Sequence, residues 1–277
     1  MREFVWLNEA LIPLDQARVP VDDRGFLYGD GLFETLRAEA GRVLWLPRHL
    51  ARLEKSALAL RLPFPADIPW EDRLARLLQA NRLEQGLAVV KMLLSRGVAP
   101  GVGLPPASRP TLLIWARSYV PPTPEEYVRG WPVLTFPEPR TTFLGRHKSL
   151  NYLFYLAARQ YALDRGAREA LILEADGRIS EGAATSLIVL RDGGFFTPQA
   201  PSALPGVTLE VLGQALRRRG QDLVALPVHP AQLREAAGLW LANSLVGVVP
   251  AASLDDLPLP VAAPATRFLQ ECLRDEH

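Results

Sequence analysis

The chain has 277 residues, 22% of them charged, with 31 Lys plus Arg against 30 Asp plus Glu and a formal net charge of +1. That balance removes the electrostatic case for nucleic acid or an acidic membrane as a partner. A single cysteine, Cys272, excludes an internal disulfide and a cysteine metal cluster, and fits a reducing compartment. The length suffices for one large domain or two modest ones, each with a real core. No apolar run approaches the roughly 20 residues of a membrane span, and Met1-Arg2-Glu3-Phe4 lacks a signal-peptide core. The expectation is a soluble, cytoplasmic protein without a bound metal.

In chain order, residues 4–7 and 32–38 read as strands, and 42–45 closes a hairpin across 39–41. Leu50, Leu53, Ala57, Leu58 and Leu60 form a helical stripe over 48–62, and Leu74, Leu77 and Leu78 mark a second helix. Residues 88–94 and 112–115 are runs of buried-strand type. The prolines of Tyr119-Val120-Pro121-Pro122-Thr123-Pro124 set an extended connector. These features predict a small N-terminal α+β domain over 1–118, a linker at 119–126 and a larger domain over 127–277.

In the second half, 131–136 is a predicted strand, and Leu150, Leu153, Phe154, Ala157, Ala158 and Tyr161 place an amphipathic helix from Leu150 onward. Strands at 170–173, 186–190 and 194–197 are punctuated by turns at Asp176-Gly177 and Asp192-Gly193. A helix over 208–220 ends at Arg217-Arg218-Arg219-Gly220, where the arginines suit the negative helix end and read as a solvated cap.

The chemistry concentrates in three words. Lys148 lies in Gly145-Arg146-His147-Lys148-Ser149-Leu150-Asn151-Tyr152, just before its helix, with basic neighbours that favour a neutral, nucleophilic amine. Glu181 lies 33 residues later in Ile179-Ser180-Glu181-Gly182-Ala183-Ala184-Thr185-Ser186. Earlier stands Asp22-Asp23-Arg24-Gly25-Phe26-Leu27-Tyr28-Gly29-Asp30-Gly31-Leu32-Phe33-Glu34-Thr35. Together, over almost the whole chain, these resemble the class IV aminotransferases, fold-type IV enzymes of pyridoxal 5'-phosphate (PLP). That family contains branched-chain and D-amino-acid aminotransferases and 4-amino-4-deoxychorismate lyase.

The resemblance implies an α+β fold: a small N-terminal α/β domain, and a larger C-terminal mixed α/β domain round a mostly antiparallel, barrel-like sheet. It also implies a homodimer. It makes Lys148 the Schiff-base lysine and proton carrier, and Glu181 the partner of the cofactor's pyridine nitrogen. Arg52, in a His-x-x-Arg-Leu word, Val207 and Thr208 at a helix start, and Ser244 and Leu245 in a turn become the phosphate ligands. Arg48 and His49 stay open between site and helix face.

Within the family, Lys91-Met92-Leu93-Leu94-Ser95-Arg96-Gly97 is similar to a word of the lyase. The Arg-x-His carboxylate trap of D-amino-acid aminotransferases is missing at 99–103, and Lys91 and Leu93 replace a Tyr and an Arg of the branched-chain enzymes. Glu34 and Tyr152 lean toward aminotransferase usage. The leading expectation is the lyase, with Arg96, Lys91 and Phe33 binding substrate and Thr35 donating a proton. A PLP aminotransferase and a catalytically idle PLP-binding protein are the alternatives.

Overall fold

Strand alternation in the first half builds a sheet with one covered face. The computed structural model describes residues 2–106 and 109–276, and every count below refers to these. β1 (Phe4–Leu7) and β2 (Ala10–Pro13) form a hairpin, followed by the short helix α1 (Arg24–Tyr28) and by β3 (Gly31–Glu39) and β4 (Arg42–Val43). Helices α2 (Leu46–Ala59) and α3 (Trp70–Ala80) precede the long strands β5 (Leu87–Ser95) and β6 (Thr111–Ser118). The six strands run antiparallel in the order β2-β1-β6-β5-β3-β4. Leu32, Leu36 and Ala38 of β3 share a core with Val90, Met92 and Leu94 of β5, Leu53 and Ala57 of α2, and Leu74, Leu77 and Leu78 of α3. Because side chains alternate along a strand, Phe33, Thr35 and Lys91 point to the opposite face.

The second half contains α4 (Pro124–Arg129), β7 (Trp131–Thr135), α5 (Leu153–Leu163), β8 (Glu169–Leu173), β9 (Ile179–Gly182), β10 (Ser186–Arg191) and β11 (Gly194–Pro198). After these come α6 (Val207–Arg218), β12 (Leu223–Leu226), β13 (Gly238–Asn243), β14 (Gly247–Leu254), β15 (Leu257–Pro258) and α7 (Ala263–Arg274). The nine-stranded sheet runs β12-β11-β10-β13-β14-β7-β8-β9, with β15 beside β14. Its β12–β11, β14–β7 and β7–β8 pairs are parallel and the rest antiparallel. Small residues Ala158 and Ala162 let α5 lie close on Ala170 and Ile172 of β8.

Two compact units result: Met1–Val120 with His147–Asn151, and Pro121–Arg146 with Tyr152–His277. The sequence division put 147–151 in the second domain. Its backbone pairs instead with β3: Phe33 N–H donates to Lys148 O at 2.8 Å, Leu150 N–H donates to Gly31 O at 2.9 Å, and Leu32 bridges Ser149. The helix expected from Leu150 therefore starts only at Leu153, because 148–150 is held extended along a strand edge. Residues 124–126, expected as linker, already form the first turn of α4, capped by Thr123 and Glu126 in a reciprocal box. At the end of α6 the arginines are exposed, and two of them also pair with residues just after α7: Arg218 with Glu276 at 2.6 Å, and Arg219 with Asp275. No helix among the described residues is long and apolar enough to cross a membrane.

Candidate active site

Each unit carries its own set of polar groups. In the first, the Lys148 ammonium lies 4.6 Å from the centre of the Phe33 ring, and that of Lys91 lies 4.7 Å from the same ring. Both contacts draw on the ring's negative face. Lys91 sits directly across from Thr35 in the β3–β5 ladder, so hydroxyl, ammonium and ring occupy one sheet face. Burial lowers the Lys91 pKa. The Lys148 backbone is fixed by the β3 edge.

On the other face, Glu34 is 1% exposed. Arg52 grips it fork to fork, Nε–H to Oε1 at 2.8 Å and an Nη2–H to Oε2 at 2.6 Å. The His49 Nδ1–H donates to Oε2 at 2.7 Å. Burial alone would raise the Glu34 pKa, but the bonds from His49 and Arg52 outweigh it and hold it at about 2. Burial pushes the His49 pKa down, against the pull of Glu34, and the charges of Arg52 and Lys148 add to the fall.

Arg96 is placed otherwise than the sequence reading expects. It is fully buried, and all five of its N–H groups are spent inside the fold. Nε and Nη2 donate to Asp30 at 2.7 and 3.0 Å, and the remaining donors reach the carbonyls of Leu60, Arg61 and Pro105 at 2.7–3.1 Å. No donor is left for a substrate carboxylate, so Arg96 is structural. Its neighbours in the word share that fate: the Ser95 hydroxyl donates to Asp23 at 2.9 Å. Gly97 has φ +70°, and an added Cβ would fall 2.1 Å from Arg109 O.

In the second unit, Glu181 lies on β9 and is 7% exposed. Tyr155 OH donates to its Oε1 at 2.9 Å and Leu204 N–H to its Oε2 at 3.1 Å. Tyr155 stacks on Tyr152 at 5.0 Å. Burial, with the Glu181 charge added, raises both phenol pKa values, so both stay protonated as donors. At the start of α6, Gly206 gives no side-chain cap, and the first N–H groups of the helix, Val207 and Thr208 included, have no intrahelical partner. The Thr208 hydroxyl is buried there without a hydrogen-bond partner among the described residues. In the turn after β13, the Leu245 and Val246 N–H groups both donate to Asn243 Oδ1 at 2.9 Å. The Asn243 side chain thus shapes the turn that carries Ser244 and Leu245.

A family model described as amino-transferase class IV matches residues 31–254. This chain belongs to the class IV aminotransferase family. It is 30% identical over 255 residues to a "Putative branched-chain-amino-acid aminotransferase" of Methanocaldococcus jannaschii, covering 91% of this chain and 88% of the relative. It is 27% identical over 282 residues to the D-alanine aminotransferase of Bacillus licheniformis, covering 98% and 96%. Among solved structures, a "Putative 4-amino-4-deoxychorismate lyase" from Legionella pneumophila superposes with a TM-score of 0.87 at 25% identity, covering 95% of this chain and 96% of the other. The fold is therefore that of the fold-type IV enzymes.

Within this class IV chain, two features escaped sequence reasoning. Tyr155 lies in the predicted helix but off its apolar stripe, and its hydroxyl serves Glu181. The His49–Glu34–Arg52 triad joins residues 15 and 18 apart. Its sequence signal was the acid at position 34 of a strand whose even-numbered neighbours are all apolar.

Proposed function

We propose that this chain is a PLP-dependent 4-amino-4-deoxychorismate lyase, which releases pyruvate and leaves 4-aminobenzoate. The reading rests on one observation: Lys91 and Lys148 both lie over the Phe33 ring, and Thr35 stands opposite Lys91 in the same ladder.

Class IV enzymes work with PLP, and the residues present fit it. The unpartnered Thr208 hydroxyl at the positive end of α6 suits a phosphate oxygen. We assign Val207, Thr208, Ser244 and Arg52 to the phosphate, Glu181 to the ring nitrogen and Lys148 to covalent attachment. Bound there, the cofactor supplies a sink for the electron pair left when a proton is removed. The Lys148 amine takes the proton from the ring carbon that bears the substrate's nitrogen. The C–O bond to the enolpyruvyl group then breaks, the ring becomes aromatic, and the proton that Lys148 took passes through the Thr35 hydroxyl to the methylene carbon of the departing enolpyruvate, which gives pyruvate and restores both groups. Lys91, already desolvated, pairs with a substrate carboxylate, which takes over the substrate role expected of Arg96. Phe33 holds both amines in place.

A transaminase is the second reading, favoured by the branched-chain and D-alanine relatives. The deciding assay measures pyruvate from 4-amino-4-deoxychorismate without a keto-acid acceptor. A lyase continues for many turnovers, whereas a transaminase stops after one half-reaction. Background pyruvate together with turnover of D- or L-amino acids plus 2-oxoglutarate would replace the lyase by the transaminase.

We also propose a cytoplasmic homodimer. Each unit exposes large apolar side chains of the kind that interfaces cover, including Phe26 at 77% beside Leu27 and Tyr28, and Leu153 at 78% with Leu156. Light scattering that reports a fully active monomer at micromolar concentration would refute this.

A further inference from the structure

The second unit holds another buried carboxylate that no step above uses. Glu174 directly follows β8 and is 1% exposed. Its Oε1 accepts from Ser180 Oγ at 3.0 Å and Ser202 N at 2.9 Å, and its Oε2 accepts from Thr141 Oγ1 at 2.6 Å and Ser202 Oγ at 2.9 Å. The hydroxyls have one sense. Thr141 Oγ1 accepts from Ala175 N–H at 2.9 Å, and Ser202 Oγ accepts from Thr142 N–H at 2.8 Å. Each is therefore left to donate its own proton to Glu174.

These bonds tie together segments far apart in sequence. Ser180 is the residue before Glu181 on β9. Ser202 stands two residues before Leu204, whose N–H donates to Glu181, and the same loop ends at Gly206, the N-cap of α6. Thr141 and Thr142 lead to Gly145, where an added Cβ would fall 2.0 Å from Ser202 O. Only glycine lets the two loops lie that close.

We infer that Glu174 is a positioning residue: by locking the loop 199–206 against β9 it sets the orientation of the Glu181 carboxylate. This rests on the assignment of Glu181 to the cofactor's ring nitrogen. A merely stabilising Glu174 would act without reference to Glu181, and the two cases separate in a double-mutant cycle.

Glu174→Gln keeps the shape but puts an amide N–H₂ among groups that all donate, so at least one contact is lost. The kcat of PLP-saturated Glu174→Gln, Glu181→Gln and the double variant is measured with the substrate selected by the acceptor-free pyruvate assay. The Kd for PLP is measured on each apo-protein by fluorescence titration. The expected kcat loss from Glu174→Gln is about tenfold in the wild-type background and under about twofold in the Glu181→Gln background, and the Kd for PLP rises about fivefold only where Glu181 is intact. Equal losses in both backgrounds, or none in either, overturn the inference alone. A Glu181→Gln variant with the wild-type rate overturns the assignment of Glu181, and the inference falls with it. If Glu174→Gln does not fold, Ser202→Ala takes its place. It deletes the hydroxyl linking Thr142 N–H to Glu174 but keeps the Ser202 N–H contact, and the same two patterns decide.

Discussion

Glu34→Gln tests the buried triad most directly, because it replaces an acceptor-only group by an amide facing the donors of Arg52 and His49. Two routes give its magnitude. On folding, the carboxyl pKa falls from 4.5 to about 2, which by linkage converts to about 3 kcal/mol of stability at neutral pH. Removing one partner of a buried ion pair typically costs about 3–5 kcal/mol, because the other charge stays buried. Both routes point to a loss near 3 kcal/mol, or a Tm drop on the order of 6–12 °C for a chain of this size. The sign with pH follows from the direction of the shift. Since the folded value is depressed, the contribution is complete above the unfolded value of 4.5 and is lost as pH falls toward 2. The gap between wild type and Glu34→Gln should therefore narrow by about 1 kcal/mol between pH 7 and pH 3.5. His49, its pKa lowered by burial, adds a decline in wild-type stability that begins as pH falls through the unfolded value of 6.5. Urea unfolding of the apo-protein at pH 7, 5 and 3.5 measures all of this. A variant within about 1 kcal/mol of wild type at pH 7, or a gap that stays constant to pH 3.5, would refute the reasoning.

Lys148→Ala should abolish the visible absorbance of covalently held PLP, and a wild-type protein that stays colourless after PLP addition would sink the cofactor assignment. Thr208→Val should act with opposite signs: apo-protein stability rises by about 1 kcal/mol as an unpaired buried hydroxyl is removed, while PLP affinity falls about tenfold; an unchanged Kd would take Thr208 out of the phosphate site. Arg96→Met should lose about 3 kcal/mol of stability, because Asp30 keeps only Arg24 as a partner and three buried carbonyls lose their donor, with KM unchanged in the folded protein. A raised KM with an unaltered Tm would restore Arg96 as a substrate ligand.

The sequence alone determined what depends on local spacing. Strand-like apolar runs gave β3, β5 and β6, helical stripes gave α2, α3 and α5, and an Arg-Gly end gave α6, because side-chain direction along an element and its end chemistry follow from backbone geometry. The words round Lys148 and Glu181 carried the family. Where a strand's evidence is non-local, the reading ran out. β14 lies between β13 and β7 yet contains Pro250, whose missing donor argues against a central strand until the register shift next to it is seen. β9 is four residues, Ile-Ser-Glu-Gly, with no propensity to announce it. The fate of each polar residue was likewise undecidable from its word. Arg96 and Lys91 stand five positions apart in one motif, yet one is consumed by Asp30 and three carbonyls and the other lies over Phe33. Lys148 is placed by an edge of β3 more than a hundred residues earlier. A buried donor goes wherever the fold brings an acceptor, and only tertiary structure decides which acceptors those are.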